Sequence, residues 1–309
     1  MPEPVAIGID VGGTKLVAAT LAADGRVLER LRRDTPARDA DRLVADLGGL
    51  IAELGPGLPV GIGIAGLVTP EGVVRYGPNI SVRDLDLAGA LRAEGATHAV
   101  VVNDASAAAL GEQRAGAARG HADVVLLTLG TGIGGGVVVG GTLLVGAMGF
   151  AGELGHVVVE DAGRRCPCGN QGCIEAYASG TAIGRRAQER LARESTDSRL
   201  RAVEELTGRA VTTAARDGDR LAREVLVEAG RWLGVAMVSL TNALDPEVIL
   251  LGGGAAAETA TWMVPAARET LEHRIIGSGW RRPPDIELTA LGDDAGMVGA
   301  GLLAADHAT

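Results

Sequence analysis

Residues 153–175, ELGHVVVEDAGRRCPCGNQGCIE, hold every cysteine of the chain within eight positions, with His156 just upstream and Glu153 and Glu175 at the two ends. One residue separates Cys166 from Cys168, a spacing that suits thiolate chelation better than a disulfide or a CxxC redox pair. The thiolates of Cys166, Cys168 and Cys173 and a ring nitrogen of His156 would fill the four positions of tetrahedral zinc. Pro167, Gly169, Asn170 and Gly172 supply the tight turns of such a knuckle. Closed coordination implies a structural ion. The competing reading is a loop of unliganded thiols in a reducing compartment.

Two glycine turns offer a different chemistry. DVGGTK from Asp10 and LGTGIGGG from Leu129 each follow an apolar strand, and such turns present backbone amides to an anion with no side chain in the way. A third cluster, LGGG from Leu251, follows a strand and precedes a helix, where backbone can pass close to a nucleoside. Any one of them alone reads more readily as an ordinary hairpin or bulge; only repetition at equivalent places favours a clasp on a polyphosphate. The GxxxxGK[ST] pattern is absent, which excludes P-loop machinery.

Carboxylates stand at strand ends beside these turns. Asp10 is placed to hold magnesium against nucleotide phosphates, or else to stabilise its turn. Asp104 closes the strand HAVVVN and opens the helix ASAAALGEQ, so it reads as a helix cap or as a general base. Asn103 beside it favours the base, because an amide next to a carboxylate can bind a hydroxyl and take its proton.

These residues need a frame, and the chain repeats one. Residues 5–34 read as three strands joined by the GGT turn and an Asp24-Gly25 hairpin. A helix over 39–54, a buried strand over 59–65, a short helix over 86–94 capped by Asp86, a strand over 98–102 and an alanine-rich helix over 105–116 follow. The three-strand pattern returns at residues 124, 133 and 142, with Gly140-Gly141 as the hairpin. An apolar stripe from Leu221 to Leu240 predicts a long helix that Asp245-Pro246 stops. The strand EVILL, a helix near 259–273, the strand IELTAL and a closing helix from Asp294 complete a second unit. The class is α/β, with two βββαβαβα units expected to face each other across a cleft.

Composition narrows the partners. The chain has 309 residues, 47% hydrophobic, and a net charge of −10, with three Trp, two Tyr and one Phe. That charge opposes binding to a phosphate backbone, and so few rings leave little for stacking on bases, so no nucleic-acid partner is expected. No apolar run approaches a membrane span and no basic leader opens the chain, so a cytoplasmic protein without a membrane partner is expected. Lys15, in the first glycine turn, is the single lysine.

Taken in order, DVGGTK, the Asn103-Asp104 pair, LGTGIGGG, ELGH and CPCGNQGCIE resemble the ROK family of sugar kinases and repressors, within the actin-like ATPase superfamily. NALDPEVILLGGG and GDDAGMVGAGLLA extend the resemblance over almost the whole chain. It implies ATP-dependent phosphorylation of a hexose. Asp104 would be the base toward the sugar 6-hydroxyl, and Asn79, Asn103, Glu153, His156 and Glu175 would contact the ring. Asp10, Gly12, Gly13, Thr14, Lys15, Gly130, Thr131, Gly132, Gly252, Gly253 and Gly254 would serve ATP and Mg2+. His156 would ligate zinc through one nitrogen and meet a sugar hydroxyl through the other. The knuckle resembles glucokinases more than fructokinases, which implies glucose; N-acetylglucosamine, N-acetylmannosamine or a non-catalytic sugar-binding member are the alternatives. A repressor would carry a winged-helix domain ahead of the first strand, and only Met1 to Pro4 stand there. The resemblance further implies a small domain over 1–117 with the helix 293–309 packed back on it, a large domain over 118–292 with the knuckle, and a homodimer; the need to keep water from competing with the sugar hydroxyl predicts closure about crossings near 117 and 293.

Overall fold

The computed structural model describes residues 2–77, 80 and 82–308. Its strands form two five-stranded sheets with the same internal order. In the first, β1 (Ala6–Val11), β2 (Lys15–Leu21), β3 (Val27–Asp34), β4 (Val60–Ile64) and β8 (Ala99–Asn103) lie as β3-β2-β1-β4-β8. In the second, β9 (Val124–Leu129), β10 (Ile133–Val139), β11 (Thr142–Leu143), β12 (Val248–Gly252) and β13 (Asp285–Leu288) lie as β11-β10-β9-β12-β13. Each therefore begins as an antiparallel meander and then adds two crossover strands on the other side of its first strand. The expected duplication is present.

Sequence explains the layering of the first sheet. β1 and β4 pair in parallel in its interior, and β4, VGIGI, is buried throughout, as a strand covered on both faces must be. The edge strand β3, VLERLRRD, puts charges outward and so resists pairing with another chain. The helix α1 (Ala40–Leu54), capped by Asp39 on the Arg42 amide, buries Leu43, Leu47 and Leu50; the apolar spacing of three and four residues lays them on one face. They pack with Ile7, Ile9, Ile62 and with Leu87 and Leu91 of α2 (Leu87–Ala93). A small antiparallel sheet of β5 (Leu67–Val68), β6 (Val73–Gly77) and β7 (Val82–Asp86) is inserted between β4 and α2.

The other face of the first sheet carries α3 (Asp104–Ala115) and α9 (Ala295–Ala308), with α9 against β1, β4 and α3. Here small residues decide the packing. A Cβ on Gly8 would strike the carbonyl oxygen of Met297, one on Gly61 that of Ala300, and one on Gly299 that of Ala107. The backbones touch where side chains would otherwise stand. Beneath this contact lies Glu112 of α3, 0% exposed. Its Oε2 accepts from the amides of Ala117 at 2.8 Å and Ala290 at 3.0 Å, and its Oε1 from Leu291 at 2.8 Å.

The remaining helices are α4 (Glu175–Ala178), α5 (Gly180–Arg193), α6 (Gly208–Arg216), α7 (Arg220–Leu244) and α8 (Ala256–Arg274). The predicted long helix is α7, and Asp245 ends it in the left-handed region at φ 48°. The chain divides into two compact units. One comprises residues 1–126, 135–152 and 289–309, and the other 127–134 and 153–288. The first thus takes in 135–152 as well as the N-terminal third, because β11 packs on α3 and Gly136 lies against Ala105 and Ser106. No helix among the described residues is long and apolar enough to cross a membrane.

Candidate active site and metal centre

In the first unit the carboxyl ends of β1, β4 and β8 lie side by side, with Asp10 in register with Gly63, and Ile64 with Asn103. This is the edge of an α/β sheet at which ligands bind. Asn103 is the N-cap of α3: its Oδ1 accepts from the Ser106 amide at 3.0 Å and its Nδ2 donates to the Gly66 carbonyl at 3.1 Å. Asp104 is therefore the first helical residue and not the cap. Its Oδ1 accepts from the Ala105 amide at 2.9 Å. Burial raises the Asp104 carboxyl above its ordinary range, against the pull of that amide.

Asp10 sits close by, and the acidic surroundings act on it. Burial first, then the charges of Asp104, Asp293 and Asp294, push its pKa up to about 6, with Lys15 opposing. Lys15 itself pairs with Asp293 at 3.4 Å. The turn between them is held in shape by Thr35, whose amide donates to the Thr14 carbonyl at 3.1 Å and whose hydroxyl donates to the Gly12 carbonyl at 2.7 Å. Gly12 also donates to Lys15 across the turn that contains Gly13. Asn79 lies outside the described residues.

A carboxyl with a folded pKa above its unfolded one is protonated more readily in the folded state. Its ionised form therefore weighs against the fold above about pH 6, and the cost fades as pH falls toward 4. Asp10→Asn is expected to stabilise the metal-free protein at pH 7.5 by up to about 3 kcal/mol, with no gain at pH 3.5 and a smaller one in magnesium. Thermal melts under the three conditions check this; an equal gain at both pH values would show that charge is not the cause.

In the second unit the knuckle is formed as the spacing predicts. Cys166 and Cys173 are buried and Cys168 is exposed. Gly169 at φ 96° and Gly172 at φ 79° make the turns that only glycine adopts without strain. The ligand atoms of His156, Cys166, Cys168 and Cys173 all lie within 4.8 Å of one another. Cys166 Sγ is 3.7 Å from His156 Nδ1, and the sulfurs of Cys168 and Cys173 are 3.8 Å apart. Metal–sulfur bonds of about 2.3 Å in a tetrahedron require edges of about 3.8 Å, so the residues fit the ion. The other ring nitrogen of His156, Nε2, lies 3.8 Å from Glu153 Oε2.

Glu175 opens α4 and turns toward the second glycine loop, where its Oε2 accepts from the Ile133 amide at 2.9 Å. A pocket of about 510 Å3 lies against that loop. Gly130 and Thr131 line one side, Gly180 and Thr181 at the start of α5 another, Thr207 and Gly208 at the start of α6 a third, and Gly254 and Ala255 before α8 a fourth. Three helix N-termini thus converge on it, which favours negative charge. Gly252 ends β12, and Gly253 takes φ 81° where a Cβ would strike the Leu129 carbonyl oxygen. A Cβ on Gly254, in contrast, would meet no atom within 4 Å. Packing does not require glycine there, and the residue lines the pocket.

The structure brings Asp10, the first glycine turn, Asn103 and Asp104 together in one unit, and the second and third glycine clusters, the knuckle, Glu153 and Glu175 in the other. Thr35, Thr181, Thr207 and Gly208 join them without having been read from the sequence. The signal for the last three was present in SGT at 179–181 and LTG at 206–208, small polar residues that begin helices. Gly254→Ala is expected to stabilise the protein by about 0.5 kcal/mol through the unfolded chain while weakening nucleotide binding. For the bulkier Gly254→Val a loss on the order of tenfold is expected. Nucleotide titrations on variants of known melting temperature separate the two effects, and undiminished binding by Gly254→Val would remove this glycine from the site.

Comparison with known proteins agrees with this geometry. The ROK family profile matches residues 6–307. The glucokinase of Streptomyces coelicolor is 35% identical, covering 96% of this chain and 96% of its own. The N-acetylmannosamine kinase of Escherichia coli is 32% identical, covering 96% of this chain and 97% of its own. A ROK family glucokinase from Streptomyces griseus, solved in complex with glucose and AMPPNP, is 37% identical with a TM-score of 0.79, covering 96% of this chain and 98% of that one. The duplicated sheet order is that of the actin-like ATPase fold, and with the match running nearly end to end, the chain belongs to the ROK family.

Proposed function

We propose that this protein transfers the terminal phosphoryl group of ATP to the 6-hydroxyl of a hexose, with glucose as the preferred acceptor and Asp104 as general base. The observation that carries the proposal is the half-buried Asp104 carboxyl at the carboxyl edge of parallel strands, beside Asp10 and a glycine turn. Raising a carboxyl above its ordinary range improves it as a proton acceptor near neutral pH. The likeness to glucokinases over the full chain, one of them solved with glucose and AMPPNP, supports the substrate class.

Each group then has a task. The pocket at the N-termini of α5, α6 and α8 receives the nucleotide, its glycine-lined walls admitting the phosphates and nucleoside to the backbone. Asp10 would hold magnesium, which when bound takes up charge on the transferred group. Asn103, its carbonyl oxygen committed to the cap, offers a donor hydrogen to a sugar hydroxyl and fixes the entry of α3, and with it Asp104. His156 would give Nδ1 to zinc, whose role is structural, and keep Nε2, with Glu153 and Glu175, for the sugar. A loose transition state gains most from such alignment. Three reduced thiols suit a cytoplasmic setting, and the family likeness extends the proposal to a homodimer, which sedimentation velocity reads.

A coupled assay of ADP release over glucose, N-acetylglucosamine and N-acetylmannosamine tests the proposal. Turnover should be fastest with glucose. Faster release with an acetamido sugar would move the specificity toward the Escherichia coli relative, and no release with any sugar would leave a binding protein.

A further inference from the structure

The metal knuckle and the second glycine loop are joined by one short stretch of chain, residues 173–181. It begins at Cys173, which bridges to Val158, and Ile174 donates to the Val157 carbonyl at 2.9 Å. Glu175 follows. Its Oε1 lies 3.8 Å from Cys166 Sγ, and its Oε2 accepts from the Ile133 amide at 2.9 Å. A Cβ on Gly132 would strike that same Oε2, so the carboxylate also sets how closely the loop approaches. At the end of the stretch Ser179 caps α5, the Gly180 amide donates to the Gly130 carbonyl at 2.8 Å, and the Thr181 hydroxyl donates to the Thr131 carbonyl at 2.9 Å. Gly130, Thr131 and Ile133 are thus all fixed from one segment that starts at a metal ligand.

We propose that Glu175 is a positioning residue that couples occupancy of the Cys/His site to the shape of the glycine loop at 130–133, so that the structural ion sets nucleotide affinity as well as the placement of sugar contacts. The inference rests on the kinase reading of the pocket and extends it. Thiolates closed around an ion hold Cys173 in place, two residues ahead of Glu175, and so fix where the carboxylate meets the Ile133 amide. Without the ion the knuckle is free to relax, and the loop loses its support from that side. The family resemblance ties the knuckle to the sugar; the bond from Glu175 to Ile133 ties it also to the glycine loop of the nucleotide pocket.

Binding of AMPPNP in sugar-free buffer, by calorimetry, tests the coupling in metal-loaded and chelated wild type, Glu175→Ala and Glu175→Gln, with hydrogen exchange of the Ile133 amide read in parallel. Chelation should weaken AMPPNP binding to the wild type on the order of tenfold and expose the Ile133 amide. Glu175→Ala should retain about one ion per chain, bind AMPPNP weakly from the start and lose little more on chelation. Glu175→Gln keeps a carbonyl oxygen for Ile133 and should fall between; it carries the comparison if the alanine variant does not fold. Equal protection of Ile133 with and without metal, or the same further loss in Glu175→Ala as in wild type, would overturn the coupling. Failure of the metal-loaded wild type to bind AMPPNP would instead sink the kinase reading, and the exchange data would still decide whether metal and loop are coupled.

Discussion

Asp104→Asn is expected to bind sugar and nucleotide, melt no earlier than the wild type, and turn over a hundredfold to ten-thousandfold more slowly, the range for loss of a positioned base. The structure sharpens both halves of this expectation. Because Asn103 caps α3, changing Asp104 leaves the cap in place. Because burial raises the Asp104 carboxyl, its ionised form opposes folding above its ordinary pKa, and the neutral amide relieves that cost. The wild-type rate should also fall as pH is lowered through the raised value. Initial rates and calorimetric melts on one preparation check the prediction. A variant that melts early yet turns over normally per folded molecule would return Asp104 to a structural role.

Glu112→Ala should cost stability on a scale unusual for a glutamate, roughly 3–5 kcal/mol. Three amides, those of half-buried Ala117 and Leu291 and of exposed Ala290, would lose the acceptor that the fully buried Glu112 side chain supplies. Glu112→Gln should cost about half as much, since its carbonyl oxygen retains some of these donors while its NH2 faces another. Calorimetry of the two variants gives the order. If Glu112→Ala melts within a degree of wild type, the amides have found other partners and the carboxylate is dispensable.

Much of this molecule was legible from spacing alone. The duplicated strands, the capped helices at 39–54 and 86–94, the stop at Asp245 and the four-ligand knuckle follow from apolar period, turn chemistry and cysteine spacing. What failed to show has physical reasons. Asn and Asp are equally good caps, so the pair 103–104 does not reveal which one stands outside the helix; the path of the chain into α3 decides. The insertion β5–β7 has a two-residue strand and glycine turns, too little to display a period of two. Glu112 reads as one more solvated residue of an alanine-rich helix, because the donors that justify burying it come from residue 117 and from nearly 180 residues away. The pocket walls at 180–181 and 207–208 are helix starts on segments whose many arginines hide the apolar stripe.

The place of α9 has a consequence for how the chain is made. Its residues lie backbone to backbone against Gly8, Gly61 and α3, all of which leave the ribosome long before it does. At about 5–20 residues per second, some 10–40 s separate synthesis of residue 126 from that of residue 309. For that interval one face of the first sheet has α3 but not α9, and Glu112 lacks two of its three donors. The second unit, nearly continuous from 153 to 288, has all its strands and helices by then. Its folding should therefore precede completion of the first unit, although the first begins at the N-terminus. Limited proteolysis of stalled nascent chains should find the region after residue 153 protected while the strands before residue 104 are still cut.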